Sequence, residues 1–135
     1  MNYKLELVVI PVADIDRAKA FYAESLGFAV DVDHRAGEDF RVVQLTPPGS
    51  ACSVSLMRNP DRAGALRGLH LIVSDIEAAH DELGERGVVL DGPFHFQPSG
   101  QVPGLHPDRA DYGSFLSFAD PDGNAWLVQE VRSSR

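Results

Sequence analysis

Val12-Ala13-Asp14-Ile15 recurs 61 residues later as Val73-Ser74-Asp75-Ile76. Before each copy runs an apolar stretch, Leu5 to Val12 in the first and Arg67 to Val73 in the second; after each comes a segment with apolar residues at helical spacing. A period of this length means that the 135 residues hold two copies of one supersecondary unit. The apolar, β-branched stretches predict buried strands. Asp14 and Asp75 then sit where a carboxylate can accept from the free amides of a first helical turn. Ile15, Ala18, Tyr22 and Leu26 make one apolar stripe, and Ile76, Ala79 and Leu83 make its counterpart. Gly27 and Gly87 close the two helices.

Working outward, the first unit continues with strands over Phe28–Asp33, Phe40–Thr46 and Cys52–Met57, separated by Ala36-Gly37-Glu38-Asp39 and Pro47-Pro48-Gly49-Ser50. It reads βαβββ. A polar stretch starting at Arg58 and running through Gly64 joins it to the second copy, where Val88–Leu90 is expected to begin the next strand. Ser114–Ala119 and Ala125–Val131 supply the last two strands, around the turn Asp120-Pro121-Asp122-Gly123-Asn124. Between them, His95 to Tyr112 is rich in Pro and Gly and shows no usable period, so it is expected to be a loop, either a functional lid or disordered. The organisation is one domain over residues 1–135: repeat 1 about 1–58, linker 59–66, repeat 2 about 67–135, in an α+β fold.

Composition removes several classes of function. With 44% hydrophobic and 24% charged residues the chain falls among ordinary globular proteins. A net charge of −8 and scattered basic residues argue against nucleic acid and against a membrane surface. The same charge keeps a protein soluble and attracts cationic small molecules. No apolar run approaches the roughly 20 residues that span a bilayer. Asn2-Tyr3-Lys4 leads directly into a strand, so no signal peptide is read and a cytoplasmic location is expected. The single cysteine, Cys52, lies in an apolar stretch and reads as an inert thiol. No Gly-x-Ser-x-Gly elbow or phosphate cradle occurs, and Ser133 and Ser134 belong to a polar tail.

The stretch from Val8 to Tyr22, its continuation Leu26-Gly27-Phe28, and the late segment Phe118-Ala119-Asp120-Pro121-Asp122-Gly123-Asn124 resemble the vicinal oxygen chelate superfamily. That family includes glyoxalase I, bleomycin- and fosfomycin-resistance proteins and extradiol dioxygenases. The resemblance covers nearly the whole chain and implies two tandem βαβββ modules forming curved mixed sheets around a cavity, as well as a homodimer. It also implies a divalent metal held by one ligand seven residues before each repeated Asp, by a glutamate four residues after the turn glycine, and by a residue near Ser53 or Ser55. In this chain those positions are Leu7, Gly68 and Leu127. Hydrocarbon and glycine offer no lone pair, so the resemblance carries the fold without the usual metal, and no cofactor is expected.

Strand alternation places Leu5, Leu7 and Val9 on one face of the first strand, His70 and Ile72 on the matching face of the fifth, and Leu127 and Gln129 on that of the last, with Trp126 and Glu130 turned away. The candidate ligand-binding residues are therefore His70, Gln129, Gln44, Tyr112, Leu7 and Leu127. A lone inward histidine is more often a hydrogen-bonded wall residue than a metal ligand, yet His70 is also the candidate catalytic acid–base. Phe94, Phe96, Arg109 and Tyr112 are lid candidates, or simply cover the sheet. Arg41 and Arg67 suit a carboxylate, or plain solvation. His95 and His106, with Asp108 and Asp111 near them, match no zinc spacing; His34 and His80 read as solvated.

Three functions stay open at this point. The chain is a metal-independent binding protein for a small organic molecule; or an enzyme (a lyase, isomerase or dioxygenase) with unusual divalent-metal ligands or acid–base chemistry at His70; or a scaffold whose cavity is filled.

Overall fold

The computed structural model describes residues 1–133; Ser134 of the polar tail lies outside the described residues. Two compact units appear: residues 1–66 together with the turn Asp120–Asn124, and residues 67–119 together with Ala125 onward. Their architecture is α+β, a βαβββ module in each.

In the first unit, β1 (Leu7–Val12) leads into α1 (Ile15–Ala20), which ends in a π-helical turn, Phe21–Ser25; β2 (Ala29–Ala36), β3 (Phe40–Thr46) and β4 (Ser53–Arg58) follow. The sheet order is β1-β4-β3-β2, with β1 parallel to β4 and the other pairs antiparallel. Asp14 caps α1, accepting from the Arg17 amide at 3.1 Å. Gly27, at φ 75°, turns the chain out of the helix as its left-handed conformation allows. Ile10, Val12, Val43, Leu45, Val54 and Leu56 are buried on the face that Ile15, Ala18 and Tyr22 cover. The opposite face carries Leu7 and Val9, Ser53 and Ser55, and Gln44, in register across β1, β4 and β3.

The second unit runs β5 (Leu69–Val73), α2 (Ile76–Glu85), β6 (Asp91–Gln97), β7 (Gly100–Pro103), β8 (Phe115–Ala119) and β9 (Ala125–Glu130), in sheet order β5-β9-β8-β6-β7. Asp75 caps α2 through the Glu77 and Ala78 amides, both at 3.1 Å. Leu116, Phe118, Trp126 and Val128 form its core, Phe118 stacking on Trp126 with centroids 6.0 Å apart.

Two expectations change. The strand after α2 starts at Asp91 rather than at Val88, and Val89 is exposed. The segment from His95 to Tyr112 is not all loop: β6 and β7 form a hairpin whose register pairs Phe94 with Pro103 and Gln97 with Gly100. β7 adds a fifth strand to the second sheet at its edge, where a proline removes no ladder hydrogen bond. That proline and the glycines hid the strand from a reading by period. No helix among the described residues is long and apolar enough to cross a membrane.

Candidate functional site

Each sheet has a face its helix does not cover, and the candidate ligand-binding residues lie on these two faces, except Tyr112, which lies between β7 and β8. In the first unit Leu7 stands opposite Ser53, and Gln44 opposite Ser55. Ser53 and Ser55 are buried although they carry hydroxyls. Ser53 is satisfied by the Thr46 hydroxyl at 2.7 Å, and Thr46 donates in turn to the Asp31 carboxylate. No spacing in the sequence announces this chain of three, because its members come from three strands.

In the second unit, parallel pairing sets His70 beside Leu127 and Ile72 beside Gln129. The His70 ring is exposed and its Nδ1 lies 2.6 Å from the Gly68 carbonyl. Gln129 donates from Nε2 to the Tyr112 carbonyl at 3.2 Å, which joins two candidate residues. Phe115 sits directly opposite Gln129. It stacks on Phe94 at 5.7 Å and meets Phe96 edge-on at 5.2 Å. Alternation along β8 is the signal that would have found Phe115, since it lies two residues from Ser117 on the same face. A cavity of about 480 Å³ opens in this unit over Gly68, Leu90, Ser117, Trp126 and Leu127.

Several other candidates are engaged by neighbouring groups of their own unit. Arg109, read as a lid residue, holds Glu130: its Nε donates to Oε1 at 3.1 Å and its Nη2 donates to Oε2. Glu130 is fully buried and also accepts from the Ile76 amide at 2.9 Å, so it closes the start of α2 beside Asp75. Burial alone would raise its carboxyl, but the hydrogen bonds from Arg109 and the Ile76 amide outweigh this and hold it below the usual carboxylate range. Arg41 is likewise occupied. It grips Asp33 through two bonds of 2.9 Å and Asp16 through one of 2.6 Å, while Lys19 reaches Asp33 at 2.8 Å. These bonds, those from Arg41 first, depress the Asp33 carboxyl strongly. They border a charged cavity of about 370 Å³ that Arg35, Phe40, Met57 and Arg58 also line. His95 is buried in the second unit, its Nδ1 2.8 Å from the Gly104 carbonyl, with the His106 ring 6.2 Å away. His34 and His80 lie on β2 and α2.

The donor set does not fit a divalent metal at the positions the resemblance assigns. Leu7 and Leu127 present hydrocarbon, and Gly68 has φ +80°, a conformation that a ligating L side chain rarely adopts. Among the described residues no group of three or more His, Cys, Asp or Glu side chains is placed to hold a metal ion.

Comparison with known proteins is consistent with this architecture. A model of the Glyoxalase/Bleomycin resistance protein/Dioxygenase superfamily matches residues 4–128. The crystal structure of TnmS3, an antibiotic binding protein from Streptomyces sp. CB03234, is 32% identical, with a TM-score of 0.77, covering 96% of this chain and 97% of that one. A glyoxalase/bleomycin resistance protein from the same organism is 34% identical, with a TM-score of 0.72, covering 94% and 100%. The uncharacterized protein YetH of Bacillus subtilis (strain 168) is 25% identical over 133 residues, 96% of this chain and all of that one.

Proposed function

The chain belongs to the Glyoxalase/Bleomycin resistance protein/Dioxygenase superfamily, and we propose that it is a metal-independent member that binds a small organic molecule against the uncovered face of its second sheet. The observation that carries this reading is the pairing of an absent donor set with a furnished surface. Leu127 and Gly68 stand where the resemblance places ligands, and beside them lie an apolar-walled cavity, His70, Gln129 and three contacting phenylalanines. Ligand sites of this kind are mostly apolar with a few placed polar groups. The likeness to an antibiotic binding protein over nearly the full length of both chains supports it.

An acid–base enzyme built on His70 has weaker support, because the hydrogen bond that orients its ring goes to the Gly68 carbonyl rather than to a carboxylate. The reading extends to a cytoplasmic homodimer. Exposed Val9 on one uncovered face and Ile72 and Phe96 on the other support a partner copy, and sedimentation at two concentrations tests it.

The primary test is elemental analysis of the purified protein before and after incubation with Ni, Zn, Mn and Fe(II), followed by thermal-shift screening of small aromatic and heterocyclic compounds. No retained metal together with a raised melting temperature for some compounds is the expected result. Near-stoichiometric metal lost on His70→Ala would overturn the reading.

A further inference from the structure

Resting on the small-molecule reading above, we propose that the uncovered face of the second unit selects ligands that donate hydrogen bonds, amine-bearing aromatic cations above all, and rejects anions such as carboxylates. The inference comes from following each hydrogen. A carbonyl oxygen can only accept, so the His70 nitrogen 2.6 Å from the Gly68 carbonyl must carry the imidazole hydrogen. In neutral histidine the other nitrogen, Nε2, is then an acceptor with a free lone pair. The same rule applies to Gln129. Its Nε2 donates to the Tyr112 carbonyl, which turns Oε1 away from that loop as an acceptor.

These acceptors are close neighbours. His70 pairs with Leu127 and Ile72 pairs with Gln129, so they stand diagonally across adjacent parallel strands. Phe115, opposite Gln129, adds a ring held against Phe94 and Phe96. Aromatic ring faces attract cations. The cavity at this end of the face has Asp91 as its one charged lining residue and no basic side chain among the described residues. A net charge of −8 adds a long-range pull in the same direction.

The first unit shows the same polarity independently. The Asp31 carboxylate takes the Thr46 hydrogen, so Thr46 can only accept from Ser53. The Ser53 hydrogen is thereby committed, and only its lone pairs remain for a further partner. At a position where the resemblance expects a metal ligand, the chain has built a hydrogen-bond acceptor.

The test uses the full chain, isotopically labelled for amide NMR at neutral pH, and three probes on one skeleton: 2-naphthylmethylamine, 2-naphthylmethanol and 2-naphthoate. The amine is expected to shift the His70, Ile72, Leu127 and Gln129 amides and to bind at least about tenfold more tightly than the carboxylate, with the alcohol between. Gln129→Leu and His70→Phe, each checked for an unchanged fold by its spectrum, should each narrow that gap by about threefold or more. Equal affinities, or a preference for naphthoate, would overturn the polarity proposal and leave the small-molecule reading standing. Absence of shifts at these residues with all three probes would overturn both.

Discussion

The two units solve one electrostatic problem with different residues. Each begins its helix on the repeated aspartate, Asp14 or Asp75, and each places a second carboxylate beside it. In the first unit that carboxylate is Asp122, on a turn; it accepts from the Ala13 amide at 3.2 Å and from Arg17 at 3.1 Å, while its Oδ2 is buried without a hydrogen-bond partner among the described residues. In the second it is Glu130, on a strand, and both of its oxygens are engaged. The uncovered faces differ in the same spirit, hydroxyls and aliphatics on one sheet and phenylalanines with His70 and Gln129 on the other. The repeated motif sets the scaffold in both units, and the two differ at positions outside it.

The comparison can be broken most severely at Asp120, which anchors the turn of the first unit. Its oxygens accept from Tyr22 Oη at 2.8 Å, from the Asp122 and Asn124 amides at 2.9 Å, and from Asn124 Nδ2 at 2.8 Å. Asp120→Ala leaves these buried donors unmet, and a loss of about 4 kcal/mol in urea unfolding is expected. Glu130→Ala in the second unit should cost less, about 3 kcal/mol, because the freed Ile76 amide keeps Asp75 nearby and Arg109 can turn to solvent.

The pH dependence of stability gives a second handle on Glu130. Since the Glu130 carboxyl is depressed in the folded protein, its contribution is fully present above the unfolded value of about 4.3 and is lost as pH falls through the lower folded value. Replacing it by Gln should flatten the acid limb of stability measured between neutral pH and acid, whereas an unchanged limb would show that Glu130 does not titrate with unfolding.

Tyr22→Phe sharpens the comparison on a smaller scale. It removes one hydroxyl from Asp120 while Asn124 Nδ2 still serves the same oxygen, so about 1 kcal/mol is expected. The smallest effect belongs to Leu127→Glu. It installs the glutamate that the resemblance places there, but Gly68 still offers no donor and the one neighbouring nitrogen is that of His70, so with two donors isothermal titration with Ni²⁺ should show no tight binding.

Much of this fold was readable because caps and strands obey local rules. Asp14 and Asp75 mark both helix starts, and Leu7 and Val9 alternate against Ile10 and Val12 as a two-sided sheet requires. The edge hairpin of β6 and β7 escaped, since Pro93 and Pro103 mimic a loop and Phe94 and Phe96 give too short an alternation. The shared placement of His70, Leu127 and Gln129 on one strand face was legible because residues two apart in a strand point the same way. The Arg109–Glu130 pair was not, because a contact between residues 21 apart follows from tertiary packing rather than from any local pattern. For the same reason Arg41 read as suited to a ligand carboxylate or to solvent, when Asp16 of α1 and Asp33 of β2 take its guanidinium.

Gly64 carries a consequence for how this gene can be altered. It adopts φ +81°, and a Cβ built there would lie 2.1 Å from the carbonyl oxygen of Asp122. The connecting segment therefore resembles a fitted seat more than a spacer: the Leu66 amide is bonded to Asn124 and the Asn59 amide to the Val12 carbonyl. A duplicated gene whose halves were joined by a slack tether would tolerate insertions there. In this chain a single added methyl group at residue 64 collides with backbone, so lengthening or tagging is excluded at that one residue, while exposed Pro60 to Arg62 of the same connection stay open to it.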